Sequence, residues 1–217
     1  MDDSRNEINS CVMLAINLDL PVDLRAVFDS SDLKDTGIEL DSHITLLYAA
    51  GKEIPRHNII RDIQEILGDP DFGEFMKICE NGDSEMTRAL DAFELGSFEN
   101  DSDYIVLKLK KETKLFGFLE RINKGLSEKY DISTEFKSYT PHITLVELNP
   151  GTAKKYLDSD KLLLILDETY FAPEDIMISY GTSNEVEDRR QYFLTTFSCV
   201  DRYFRLKNLK ESNKEPL

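Results

Sequence analysis

The tetrapeptide His-Ile-Thr-Leu occurs twice in this chain, opening at His43 in HITLLYAA and at His142 in HITLVEL. There are only three histidines, so two of them occupy the same local setting in distant parts of the sequence. Both runs are rich in β-branched and aliphatic residues, which favours strands. In a strand, residues i and i+2 share a face, about 6.5–7 Å apart. His43 and Thr45 therefore share one face, and Ile44 and Leu46 the other. His142 and Thr144 repeat the arrangement, opposite Ile143 and Leu145. Any fold for this chain must place two strands that are each apolar on one side and carry an imidazole and a hydroxyl on the other.

The surrounding pattern sets these strands in two similar units. CVMLAINLDL alternates at Val12, Leu14, Ile16 and Leu18, the period of a strand. A short helix is expected in PVDLRAVFDSSDL, and the first motif strand follows. DYIVLKLKK, a helix over ETKLFGFLERINKGLSEKY, and the second motif strand in YTPHITLVEL repeat that order. Two such units packed about an approximate two-fold axis would bring the motif strands face to face.

Between the units, Pro55 opens a helix with Ile59, Ile60, Ile63, Ile66 and Leu67 on one stripe and Gly68 past its end. Residues 69–91 read as a long loop with one helical turn, long enough to form a lid. ALDAFELGSFE pairs with DYIVLKLKK as a hairpin across Asn100-Asp101-Ser102. LLLILDETYF, EDIMISY and QYFLTTFS read as three closing strands. Residues 208–217 read as a polar flexible tail after a single domain over 1–207.

Composition narrows the function. Hydrophobic residues at 41% and charged residues at 31% suit a soluble globular protein. No apolar run reaches the ~18 residues of a membrane span. CVMLAINLDL follows an acidic segment, whereas a secretory signal has a basic leader. Cys11, Cys79 and Cys199 show neither metal spacing nor a disulfide framework, as expected of reduced cysteines in the cytoplasm. The net charge of −16 opposes long nucleic acids, which are held by lysine and arginine against phosphate. A small anion in a pocket needs only a few donors and stays compatible with that charge. Nothing in the sequence sets an oligomeric state.

Two imidazoles and two hydroxyls on facing strands make an acid–base site. Imidazole titrates near 6.5, so near neutral pH one ring can accept a proton while the other donates one. The threonine hydroxyls can donate to the non-bridging oxygens of a phosphate between them. This chemistry calls for no metal or cofactor. A His-x-His-x-His nucleotide-hydrolase triad is excluded, because neither site has a second histidine two residues on.

These residues resemble the 2H phosphoesterase superfamily, whose mark is a pair of His-x-Thr/Ser motifs. CVMLAINLDLP is similar to its opening strand, DSHITLLYA and YTPHITLVEL to its motif strands, and ETYFAPEDIMISYG to its closing strand pair. The resemblance implies a bilobal α+β fold, an antiparallel sheet in each lobe flanked by helices, and a groove between them. It implies catalytic roles for His43, Thr45, His142 and Thr144, with no metal. It includes 2′-5′ RNA ligase-like proteins, cyclic phosphodiesterases, and phage enzymes that degrade cyclic-oligonucleotide immune signals, the last acting in a host cytoplasm.

With the acidic charge, the expected substrate is a small ribonucleotide: a cyclic oligonucleotide, a short 2′-5′ or 3′-5′ oligonucleotide, or a 2′,3′-cyclic phosphate. Rival readings are an enzyme of 2′,3′-cyclic RNA ends, a nucleotide-binding sponge, and a structural protein. Tyr139 is a candidate for stacking on a base and Lys137 for binding phosphate, with Arg189 and Arg190 as further cations. Tyr48, on the Ile44 side by simple alternation, is expected in the core. His57, outside any motif, reads as a surface or capping residue.

Overall fold

A computed structural model describes residues 8–39, 41–80, 86–133, 138–181 and 190–195. The fold is mixed α and β, built on a curled antiparallel sheet. Its strands are β1 (Asn9–Asp19), β2 (Leu33–Ile38), β3 (His43–Ala49), β4 (Thr87–Arg88), β5 (Phe93–Glu99), β6 (Asp103–Leu109), β7 (His142–Leu148), β8 (Tyr170–Gly181) and β9 (Arg190–Phe193). They run in the order β4-β8-β1-β3-β7-β6-β5, with β2 paired to β7 and β9 to β8. The two motif strands therefore meet edge to edge within one sheet, rather than face to face between two. Their register is a single pair, Ile44 with Ile143. On each side of that seam the motif strand pairs with its unit's opening strand, β3 with β1 and β7 with β6.

The helices are α1 (Ile59–Leu67), α2 (Asp69–Glu80), α3 (Ala89–Ala92), α4 (Lys114–Lys129), α5 (Ala153–Leu157) and α6 (Asp160–Asp167). Their apolar stripes join one buried cluster with Val12, Leu14, Ile44, Leu46, Ile105, Leu107, Ile143 and Leu145 of the sheet. All of these strand residues lie on one face, so the core occupies the side away from the histidines. Thr113 caps α4, its hydroxyl accepting the Phe116 N–H at 3.2 Å. Gly125 of α4 lets α1 approach closely: a Cβ there would stand 2.6 Å from Cγ1 of Ile66.

Four expectations are corrected. The helix expected after Pro21 is a single 3-10 turn, Leu24–Ala26, followed by β2, so the first unit lacks the counterpart of α4. Residues 29–32 follow as a tight turn, the Asp32 N–H donating to the Asp29 carbonyl at 2.9 Å.

Residues 69–80 form α2, not a loop or lid. Pro70 sits in its first turn and Phe75 and Cys79 are buried, with Phe75 edge-on to Phe118 of α4. This packing holds α2 on the core side, away from the histidine face. The run LLLILD is helix α6, with Leu162 and Leu166 buried one turn apart and Leu164 at 69% exposure. A continuous apolar run reads equally as a buried strand or a helix. TYF and EDIMISY then form one strand, β8, instead of two. The tail over 208–217 lies outside the described residues. No helix among the described residues is long and apolar enough to cross a membrane.

Candidate active site on the histidine face

Ile44 and Ile143 are fully buried on the core face. Counting one residue either way from their register puts His43 across from Thr144 and Thr45 across from His142. All four side chains occupy the opposite face of two adjacent strands, and all are half-buried. Diagonal neighbours across an antiparallel pair have Cα atoms about 7–8 Å apart, which suits two imidazoles gripping one small group.

Both motif strands then carry the same irregularity. On β3, Met13 of β1 opposes Thr45 and Val12 opposes Leu47, leaving Leu46 as an extra, bulged residue. On β7, Val106 opposes Thr144 and Ile105 opposes Val146, leaving Leu145 as the extra residue. Each bulge lies three positions after its histidine. A bulge frees a carbonyl from the ladder, and here both are satisfied. Asn123 of α4 donates Nδ2 to the Leu46 carbonyl at 2.7 Å, and the Glu39 N–H donates to the Leu145 carbonyl at 3.1 Å.

The bulge reverses the alternation. Leu46 and Leu47 are both buried, and Tyr48 emerges on the histidine face in register with Cys11, at 51% exposure. The core position expected for Tyr48 is therefore wrong, because simple alternation fails at the bulged residue. Glu147, after the second bulge, reaches the same face. It accepts hydrogen bonds from Ser102 at 2.8 Å and Tyr104 at 3.0 Å.

The imidazoles are held in matching ways. His43 Nδ1 lies 2.8 Å from the Asp41 carbonyl, and His142 Nδ1 lies 2.8 Å from the Thr140 carbonyl. A carbonyl oxygen only accepts, so each Nδ1 carries the proton and each Nε2 of the neutral ring is an acceptor. Pro141, buried, disfavours a helical backbone at Thr140, whose carbonyl His142 uses. Burial lowers the His142 pKa below 6.5. The positive charges of His43 and Lys108 push the same way, against the Thr140 hydrogen bond. His142 is thus biased toward its neutral form.

Two residues that the sequence did not single out flank His142. Lys108 on β6 is its register partner, and Phe98 on β5 sets its ring edge-on to the imidazole, 4.8 Å between centroids. The alternation in DYIVLKL puts Tyr104, Val106 and Lys108 on one face. Only strand pairing shows that this face adjoins His142. Met13, Ala15 and Met177 form a small apolar cluster on the same side of β1 and β8, and the Cys11 sulfur lies 4.0 Å from the Thr45 hydroxyl.

Tyr139 packs its ring against the core, and its hydroxyl donates to the Thr45 carbonyl at 2.8 Å. It ties the segment before β7 to β3 across the seam. Lys137 and Arg189 lie outside the described residues. Arg190 is in register with Tyr180 on β8, whose ring packs into the core cluster, so it belongs to the face opposite the histidines. His57 is exposed in the 3-10 turn before α1, off the sheet. Among the described residues, no group of three or more His, Cys, Asp or Glu is placed to hold a metal ion.

No protein-family model matches this chain, and no curated protein matches it.

Proposed function

We propose that this chain is a metal-independent phosphodiesterase of the two-histidine kind, acting on small ribonucleotides. The observation that carries the reading is the placement of His43, Thr45, His142 and Thr144 on one face of adjacent strands, with both Nδ1 atoms anchored to backbone carbonyls. Binding alone has no need of two matched proton-transfer groups.

In the proposed cycle, His142 Nε2 takes the proton from the attacking hydroxyl, water or a ribose 2′-OH, as its oxygen bonds to phosphorus. The phosphorus–oxygen bond to the leaving group breaks, and His43, entering the cycle as the imidazolium, gives that oxygen its Nε2 proton. The two rings exchange protonation states and reset through solvent. Thr45 and Thr144 donate to the non-bridging oxygens, where charge builds up in the pentavalent state. The depressed pKa of His142 suits it to the base role. Tyr48, exposed at the rim, offers a ring on which a base can stack.

On this reading, the halves β8-β1-β3 and β7-β6-β5 are the two lobes of a 2H phosphoesterase, and the seam between β3 and β7 is its groove. The matching bulges after the two histidines support the equivalence. The charge of −16 favours small substrates over long RNA, and the acidic chain is compatible with degradation of signalling nucleotides.

The test is a panel of cyclic dinucleotides, cyclic trinucleotides, 2′-5′ oligoadenylates and 2′,3′-cyclic mononucleotides, incubated with the protein in EDTA. Cleavage of at least one is expected. Tight binding without turnover across the panel would point to a sponge, and cleavage of RNA ends alone to a processing enzyme.

A further inference from the structure

Lys108 is held in an unusual way for a chain with 42 acidic residues. Its ammonium donates to the Ser97 carbonyl at 3.0 Å and lies 4.7 Å from the centroid of the Phe98 ring. Glu94 is across from it in register, yet no carboxylate among the described residues forms an ion pair with Lys108. Its stem crosses Gly96 in mid-strand, where an added Cβ would stand 3.0 Å from the lysine's Cε and Nζ. Glycine inside a strand marks such a close approach. The backbone, the ring and the glycine together fix a half-buried cation, with no carboxylate paired to it among the described residues.

The direction of the side chain matters. Lys108 neighbours His142 on the β7 side, but its ammonium is drawn over β5, away from the seam where the scissile phosphate would lie. It is placed for an anion next to the reacting group, not for the reacting group itself. Its charge is nonetheless felt at His142, whose pKa it helps to lower after burial and His43.

We propose that Lys108, bedded on Gly96, Ser97 and Phe98, forms a subsite for a second phosphate of the substrate, flanking the one that is cleaved. The inference rests on the phosphodiesterase reading and narrows it. The preferred substrate carries at least two phosphates, as in a cyclic or linear oligonucleotide. A 2′,3′-cyclic mononucleotide leaves the subsite empty.

The probes are adenosine 3′,5′-bisphosphate and adenosine 5′-monophosphate, titrated into the full chain while the histidine C2–H NMR signals are followed. With only three histidines, these signals are few. Wild type should bind the bisphosphate roughly tenfold more tightly than the monophosphate, the scale of one partly desolvated charge-assisted contact. Lys108→Met should erase that preference, and Lys108→Arg should retain it. Equal affinities in wild type, or a preference that survives Lys108→Met, overturns the subsite and leaves the phosphodiesterase reading standing. Silence of the His43 and His142 signals toward both nucleotides overturns the two together.

Discussion

Asn123 on α4 donates its side-chain amide to the carbonyl of Leu46, 2.7 Å away in β3. The contact spans the core, from a helix to the one residue of the first motif strand that the β1 ladder leaves unpaired. It ties the helix layer to the bulge that turns Tyr48 toward the histidines.

Asn123→Leu should leave that buried carbonyl unsatisfied. The expected cost is about 1–3 kcal/mol, read as a lower denaturant midpoint at unchanged slope. Amide exchange should quicken around Leu46 and Leu47 before it does in β6.

Gly125→Ala should also destabilise, although alanine is the better helix former. The new methyl meets the stiff, β-branched part of Ile66 at 2.6–2.8 Å. Overpacking costs typically 1–3 kcal/mol, against about 1 kcal/mol gained in helix propensity. A thermal melt of the variant should show a lower Tm. A rise would mean that α1 and α4 part without strain.

Tyr139→Phe separates bracing from base stacking. The ring stays and only the bond to the Thr45 carbonyl is lost. A bracing role predicts a loss of ~0.5–1.5 kcal/mol in stability with a lower kcat. A purely stacking role predicts neither change.

Tyr48→Ala should leave stability within about 0.5 kcal/mol, since the ring is half exposed on the histidine face. Substrate affinity should fall severalfold, read as a raised KM, because base stacking on an aromatic is worth roughly 1–3 kcal/mol.

His142 should titrate below 6.5, as followed by its C2–H NMR signal. Because its folded pKa is depressed, the unfolded chain binds the extra proton first as pH falls. Its contribution to stability is therefore complete above about 6.5, and is lost as pH drops from there through the folded pKa. The pH dependence of the denaturant midpoint should flatten in that window in His142→Ala.

Much of the site was legible in the sequence because its signal is local. His-x-Thr at period two places an imidazole and a hydroxyl on one face, whatever the rest of the chain does. Strands flanked by clear turns, such as β5 and β6 across Asn100–Ser102, were legible for the same reason. Non-local features were not. The bulges at Leu46 and Leu145 depend on register with β1 and β6, so alternation alone sent Tyr48 to the wrong face. Lys108 and Phe98 join the site only because β6 pairs with both β7 and β5. α2 was hidden by its Asp-Pro-Asp-Phe-Gly opening, which reads as a turn. Its helical state is decided by Phe75 packing against Phe118.

The measurement that bears most directly on the acid–base pair is the single-turnover rate on the best nucleotide of the panel, with EDTA present, for wild type, His43→Ala, His142→Ala and the double variant. Two rings working on one phosphorus predict a loss of roughly 10³-fold or more in each single variant, with little further loss in the double. Near-wild-type rates in either folded single variant would contradict the pairing of the two histidines.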